Sequence, residues 1–428
     1  MSLALGIRLF IMMFLQYAIW GAWTPVLTET LQHDLGFTGA QVGFVYGMLW
    51  LACIFSPFIG GQLADRLMPT QWFLGIAHLI GAYALWQAAQ QHAYGVLGYW
   101  MLLWAFFYAP TLALTNSLAF HHLPNEEEQF GFVRVGGTLG WIVAGFGLTA
   151  WRLSSGAQVL SIGIDSLLLA AGASLLMGLY SFTLPHTPPN RNAESPFAIF
   201  KALKLFQMVS GFAVFMVISF VVTSELQFFY MLSAPFLNDI GVPKALLSSV
   251  KNISQMAEIV AMAVALPLLL PKLGMRKTLV IGVLAWPLRY VFFALGQPLA
   301  AVAPTAAQIM VASSLTLHGI GYTFFFVVSQ IYVDKVAPKD IRASAQALLA
   351  LITLGFGNYL GTQFTGWIQD RFTDAATGVV NWPPVFLIPC ALTVACAIAF
   401  LFTFKEPESE AEPSPLAAAP EPAAAVEG

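Results

Sequence analysis

The residue pair best suited to chemistry is an amide and a carboxyl group within a long apolar stretch. Gln255 and Glu258 stand three positions apart, a spacing that puts both side chains on one face of a helix. A carboxyl group among apolar neighbours can bind and release a proton, and an amide both donates and accepts hydrogen bonds. The pair therefore predicts a site that joins proton binding to recognition of a polar ligand. The alternative is a structural carboxylate that a neighbouring helix satisfies.

A second stripe of candidate residues combines a cation, a hydroxyl group and an aromatic ring. Arg134, Thr138 and Trp141 follow the i, i+4, i+7 spacing that brings side chains to one helix face. Such a stripe indicates the wall of a polar cavity. Arg134 has an alternative role as a cation at a helix end, since three glutamates lie just upstream at 126–128.

Two further apolar stretches contain polar side chains. Gln227 and Tyr230 share a helix face, whereas Glu225 points elsewhere and is equally well explained as structural. The other stretch adds an imidazole, an aromatic ring and a hydroxyl group, at His318, Tyr322 and Thr323. A single histidine in an apolar span is more often a satisfied core residue than a titrating group.

The elements that position these residues must be membrane-spanning helices. Of the 428 residues, 58% are hydrophobic and only 9% are charged, with a mean hydropathy of +0.75, whereas a soluble domain has about 25% charged residues. A water-soluble globule is therefore excluded. The net charge of −3 gives no basic surface for nucleic acid, and the three cysteines lack the spacing of a metal site. No cofactor and no metal are predicted.

Twelve apolar stretches are long enough to cross a hydrocarbon layer of about 30 Å as helices. They cover 6–31, 40–65, 71–92, 95–120, 131–152, 160–184, 203–235, 245–271, 277–297, 303–334, 341–370 and 383–404. The fold class is therefore an all-α membrane protein with twelve transmembrane helices.

The longest polar stretch between spans divides the chain into two six-helix halves. The predicted halves are 1–184 and 203–404, joined by a cytoplasmic loop at 185–202. Such a division is typical of transporters that bind their substrate between the halves. The acidic, Pro- and Ala-rich segment 405–428 is predicted to be a disordered cytoplasmic tail.

The distribution of cations predicts the orientation in the membrane. With the N-terminus inside, twelve of the 18 Lys and Arg residues fall on the cytoplasmic side, and four fall on the other side. Those four are Arg152, Lys244, Lys251 and Arg371. This bias follows the positive-inside rule with both termini in the cytoplasm.

The segment Gly61-Gln62-Leu63-Ala64-Asp65-Arg66 between spans two and three resembles the loop signature of the major facilitator superfamily. The resemblance implies that Asp65 and Arg66 take part in a charged contact between the cytoplasmic ends of neighbouring helices. The segment 272–277 occupies the corresponding loop of the second half. A generic positive-inside loop is the alternative for the short motif alone.

A narrower resemblance extends over nearly the whole chain, to the bacterial nucleoside:proton symporter family of that superfamily. It rests on collinear similarity at 16–23, 110–117, 134–141, 254–258 and 341–346. The resemblance implies that Arg134 and Thr138 point into the central site and that Gln255 and Glu258 take part in nucleoside binding. It also implies a location in the bacterial cytoplasmic (inner) membrane.

Two positions depart from the family pattern. An amide is usual where Tyr230 stands, so we expect stacking or a hydroxyl contact there instead. An aspartate is usual where Thr323 stands, and a threonine cannot carry a proton as an acid does. Glu258 must then carry more of the proton coupling, or His318 contributes a group that titrates near neutrality.

The predicted function is proton-coupled nucleoside uptake by alternating access. The predicted carrier is a monomer in the bilayer whose partners are a nucleoside and protons. The predicted substrate-binding residues are Arg134, Thr138, Trp141, Gln227, Tyr230, Gln255, Glu258, Tyr322 and Thr323, with Glu258 and His318 as proton-coupling residues. The alternative within the same fold is a carrier of a sugar, nucleobase or drug-like compound with weak or no proton coupling. An enzyme is not predicted, because motifs such as HExxH and GxSxG are absent from the sequence.

Overall fold

The computed structural model describes residues 2–66, 68–155, 163–189 and 196–404. Within these ranges, the side chains of 57–66, 126–128 and 196 are outside the description. The predicted tail at 405–428, part of the predicted central loop and the side chains of Asp65 and Arg66 therefore lie outside the described structure. The backbone of Asp65 and Arg66 forms the last turn of a helix that ends at Arg66.

Twelve spanning helices, α1 to α12, are present in the described residues. Ten helical stretches are long and apolar enough to cross a membrane, a shorter one at Asp165–Ser181 adds another, and one of the ten divides in two at Gly274. The φ angle of Gly274 is +75°. This angle lies outside the right-handed helical region and so breaks the helix, and glycine adopts it more readily than other residues. The helices are α1 Leu3–Asp34, α2 Gly39–Arg66, α3 Thr70–Ala89, α4 Tyr94–His122, α5 Glu126–Ser155, α6 Asp165–Ser181, α7 Phe212–Asp239, α8 247–273, α9 275–300, α10 Pro304–Val336, α11 Arg342–Arg371 and α12 Trp382–Thr403.

The predicted start of the seventh span at residue 203 is wrong. Residues Pro196–Lys204 form a 3₁₀ helix, which we call the linker helix, and α7 begins only at Phe212. Gly211, whose φ angle is +83°, breaks the helical path between the linker helix and α7. The linker helix exposes Phe197, Phe200 and Leu203 together with Lys201 and Lys204. Its apolar side chains raise the hydropathy of the segment, so hydropathy alone joined it to the span that follows.

Four of the spanning helices contain a π-helical turn in the described residues. These turns are Thr30–Asp34 in α1, Ala261–Ala265 in α8, Thr323–Val327 in α10 and Leu351–Gly357 in α11. Three of the four belong to the C-terminal half. A π turn accommodates one additional residue and occurs frequently at functional sites.

Small residues bring α1 and α5 close together. A Cβ atom on Gly136 would lie 2.6 Å from the carbonyl oxygen of Phe10, and Gly140 faces the backbone of Phe14 in the same way. Any larger side chain at these positions would push the helices apart. This close packing holds the stripe that begins at Arg134 against the middle of α1.

The two halves contact each other at the end of the bundle that is remote from both termini. We call this end, where the connections 35–38, 240–246 and 372–381 lie, the remote end. Lys244 pairs with Glu29 at 3.4 Å and with Asp34, and Gln32 and Gln369 exchange two hydrogen bonds of 2.7 and 3.0 Å.

The start of α2 adds a further contact between the halves at the remote end. The carboxylate of Asp370 accepts hydrogen bonds from the backbone N–H groups of Gly39 at 2.5 Å and Ala40 at 2.8 Å. These contacts close the remote end.

Candidate substrate and proton site

A polar cavity lies between the two halves at mid-height of the helices. About 440 Å³ of space free of atoms, part of it continuous with the solvent, lies among its lining residues. Helices α1, α5, α7, α8 and α10 contribute its walls. The lining residues are Tyr17, Trp20, Arg134, Gly137, Thr138, Trp141, Tyr230, Gln255, Glu258 and Tyr322.

The structure brings together most of the site residues predicted from the sequence. Seven of the nine predicted substrate-binding residues line this one cavity, although they come from four helices and both halves of the chain. Gln227 and Thr323 are the two that do not line it, and the predicted proton-coupling residue His318 lies behind its wall.

The wall from the N-terminal half consists of the predicted stripe on α5 and an aromatic pair on α1. The guanidinium of Arg134 lies 4.4 Å from the ring centre of Tyr17, and Trp141 meets Trp20 edge to face at 5.5 Å. Gly137 leaves room for these contacts, since a Cβ atom there would lie 2.8 Å from Nη1 of Arg134. The wall therefore offers a cation beside flat apolar rings.

Sequence reasoning missed Tyr17 and Trp20. They belong to the segment 16–23 and are spaced i, i+3 in a span with few polar residues. Their spacing was the available signal, but aromatic residues are also frequent where a helix crosses the membrane interface. Residue type alone could not distinguish the two cases.

The wall from the C-terminal half carries the carboxyl group. Glu258 is only 8% exposed, and the π turn of α8 begins three residues after it. Gly319 on α10 packs directly against the backbone at Glu258, since a Cβ atom on this glycine would lie 2.5 Å from the Glu258 nitrogen. This contact aligns α8 with α10 and brings Tyr322 to the same cavity.

Arg134 and Glu258 face the cavity from opposite halves. No ion pair among the described residues joins them within 4.0 Å. Both groups are thus available to a ligand that enters between them. Gln255, one helical turn from Glu258, adds an amide to the same wall.

Three predicted residues are buried away from the cavity. Gln227 donates a hydrogen bond of 2.6 Å to Asn358 of α11, so its amide joins two helices. Thr323 is fully buried, and its hydroxyl has no hydrogen-bond partner among the described residues. His318 packs against the rings of Tyr230 and Tyr322, each at 5.8 Å.

The hydrogen bond of His318 fixes the position of its proton. Nη1 of Arg289 lies 3.1 Å from Nδ1 of the imidazole. Because arginine can only donate, Nδ1 accepts, and the imidazole is neutral with its proton on Nε2. In this arrangement His318 supports two tyrosines of the cavity wall.

Lys251, predicted to lie on the side opposite the termini, is enclosed by the helix bundle. Lys251 is buried in the second turn of α8, where Nζ donates to the carbonyl oxygen of Tyr230 at 3.1 Å. Its Nζ also lies 5.1 Å from the ring centre of Phe229. The carbonyl oxygen of Tyr230 and the face of the Phe229 ring stabilise the buried ammonium group of Lys251.

Twelve helices in two halves, closed at one end around a central polar cavity, define a secondary transporter with the major facilitator superfamily fold. The family model described as "Nucleoside H+ symporter" matches residues 1–409. The chain therefore belongs to the nucleoside H+ symporter family.

Individual relatives agree with this assignment. The chain is 30% identical over 411 residues to the nucleoside permease NupG of Escherichia coli K12, covering 92% of this chain and 94% of that one. It is 31% identical over 407 residues to the xanthosine permease of the same organism, covering 90% and 92%. The crystal structure of the nucleoside transporter NupG superposes with a TM-score of 0.82 at 29% identity, covering 94% of this chain and all of that one.

Proposed function

We propose that the central cavity is the nucleoside site of this symporter and that Glu258 carries the coupled proton. The observation that carries the proposal is the arrangement of Arg134 and Glu258, which face one cavity from opposite halves without pairing. A ligand between them contacts both halves at once. Its binding can therefore favour the closed form over either open form.

The chemistry of the walls suits the two parts of a nucleoside. Arg134, Thr138 and Gln255 supply donors and acceptors for ribose hydroxyls and base edges. The aromatic rings at Trp20, Trp141 and Tyr322 supply flat faces on which a base can stack. Because stacking on an aromatic ring tolerates any base, these rings allow the site to accept more than one base.

The coupled proton sits on the carboxyl group of Glu258 while the nucleoside is bound. Protonation removes a charge that would be costly to carry across the low-dielectric core. Loss of the proton on the opposite side then weakens the site and releases the ligand. Cycling requires that one end of the cavity close as the other opens.

The conformation described here is closed at the remote end. With both termini in the cytoplasm, as the cation distribution predicts, the remote end is the outer end and the structure is inward-facing. We further propose that the carrier works as a monomer in the bilayer and performs no catalysis on its cargo.

Uptake of labelled nucleoside into proteoliposomes tests this proposal. The parent should accumulate nucleoside when an inward proton gradient is imposed, and Glu258→Gln should bind nucleoside but lose the response to the gradient. Asp374→Asn is a matched control, because that carboxylate lies in the exposed connection 372–381, away from the cavity, and accepts hydrogen bonds only from Ala376 and Thr377 of its own turn. Gradient-driven accumulation by Glu258→Gln at the parental level would refute the assignment of the proton to this residue.

A further inference from the structure

A second acidic side chain is buried inside the C-terminal half and takes no part in the cavity. Glu225 of α7 is 0% exposed, and neither carboxyl oxygen has a hydrogen-bond partner among the described residues. Its backbone carbonyl accepts a hydrogen bond of 3.0 Å from the hydroxyl of Tyr290. An ionised carboxylate without partners in such a place would cost several kcal/mol. This geometry is that of a neutral carboxyl group.

A buried arginine lies on the neighbouring helix α9. Arg289 is 0% exposed, and its guanidinium lies 4.1 Å from the ring centre of Phe229, one helical turn from Glu225. Nη1 donates to His318, but Nε and Nη2 have no partner among the described residues. Arginine keeps its charge in proteins. The site therefore contains a permanent cation with two N–H groups available for an anion.

The other charged or titratable groups around Glu225 come from four helices. The helices packed against this part of α7 contribute Lys251 from α8, Arg289 and Tyr290 from α9, His318 from α10, and Cys390 and Cys396 from α12. Among these described neighbours there is no second carboxylate. The only anion that this cluster can supply to Arg289 is Glu225 itself.

We propose that Glu225 is a second proton-binding group of the carrier, with Arg289 as the partner of its ionised form. The structure shows the proton-loaded arrangement, in which the carboxyl group is neutral and unpaired. When the O–H bond breaks, the proton leaves to water and the carboxylate turns to the two free N–H groups of Arg289. Protonation from the opposite side breaks this ion pair and restores the arrangement seen here.

This inference rests on the proposed function and deepens it, because it assigns two protons to each nucleoside, one on Glu258 and one on Glu225. It also explains how coupling persists without an acid at Thr323. The carboxyl group lost from α10 has a counterpart on α7 within the same helical half.

The proton-to-nucleoside ratio tests the inference. Proteoliposomes are loaded with a tenfold outward excess of nucleoside at equal pH on both sides, and the membrane potential that gives zero net flux is measured. A tenfold gradient of an uncharged solute balances about 59 mV for one coupled charge and about 30 mV for two. We expect about 30 mV for the parent and for Glu225→Asp, and about 59 mV for Glu225→Gln.

Two further variants separate the role of the ion pair from a general effect on α7. Arg289→Gln should also give about 59 mV, because Glu225 without the guanidinium stays protonated throughout the cycle. Ser233→Ala should remain at about 30 mV, since this buried α7 hydroxyl donates only to the carbonyl of Phe229 in its own helix.

A value of about 59 mV for the parent overturns the inference even if the variants fail to fold. An unchanged value of about 30 mV in Glu225→Gln overturns it as well. Failure of the proposed function looks different, because the parent would then show no flux that depends on the membrane potential or on the proton gradient.

Discussion

The contact between Asp370 and the start of α2 makes a quantitative prediction about closure of the remote end. The Asp370 carboxylate accepts from two backbone N–H groups, at 2.5 and 2.8 Å, and so binds the positive end of the α2 dipole across the boundary between the halves. A hydrogen bond to a charged group contributes about 1.5–3 kcal/mol. Asp370→Asn keeps one acceptor oxygen and loses the second bond and the charge.

Asp370→Asn should make closure of the remote end less favourable by about 2 kcal/mol. This value is near the low end of the range for a charged hydrogen bond, because the site is partly exposed. At 1.4 kcal/mol per factor of ten, the population open at the remote end rises about 30-fold. Thr138→Cys in a chain whose native cysteines are replaced by serine provides a reporter in the cavity. The rate at which a membrane-impermeant maleimide labels it from the remote side should rise by the same factor.

Asp374→Asn provides the matched control, because that carboxylate lies in the same connection and accepts only from Ala376 and Thr377 of its own turn. Its labelling rate should equal that of the parent. Labelling of Asp370→Asn at the parental rate would refute the reasoning, and so would an equal increase in both variants.

Two other predictions concern the cavity wall and the remote connection. Trp141→Ala should weaken nucleoside binding about 10- to 100-fold, since stacking on an aromatic ring contributes about 1–3 kcal/mol per base. Titration calorimetry measures the dissociation constant. Equal weakening in Trp86→Ala, a residue exposed on the outside of α3, would contradict the prediction. Hydrogen bonds from Thr377 and Ala376 lower the pKa of Asp374 below its usual value. These bonds therefore stabilise the turn fully at any pH above the ordinary aspartate pKa of about 3.9. The stabilisation is lost only as the pH falls through the lowered pKa of the folded state. A chemical-shift titration of the Asp374 carboxyl carbon checks this, and a midpoint at or above 3.9 would speak against it.

The sequence predicts the fold well because the membrane leaves few alternatives. Apolar length fixes the number of helices, and a polar side chain within such a helix must face a partner or a cavity. For this reason the stripe at Arg134 and the pair at Glu258 lie where the sequence predicts. The linker helix defeated the same reasoning, since its aromatic residues raise the hydropathy of a segment that does not join the span.

The remaining errors arise where tertiary partners decide the outcome. Gln227 has the residue type of a ligand-binding amide, but Asn358, 131 positions away, takes up its donor. The burial of Lys251 likewise depends on Phe229, which comes from another helix. No periodicity within one span reveals such a partner, so the buried cluster around Glu225 becomes visible only in three dimensions.

The π turn in α10 has a consequence for how relatives of this carrier can diverge. Each residue advances an α-helix by about 100°, so an inserted or deleted residue would otherwise turn everything after it by that angle. A π turn absorbs this change because it holds one additional residue. Loss of one residue within Thr323–Val327 would therefore leave a regular α-helix in which Ser329 and Gln330 still line a second cavity beside Tyr322. Relatives can thus differ in length by one residue at this turn and keep the same side chains on the cavity wall.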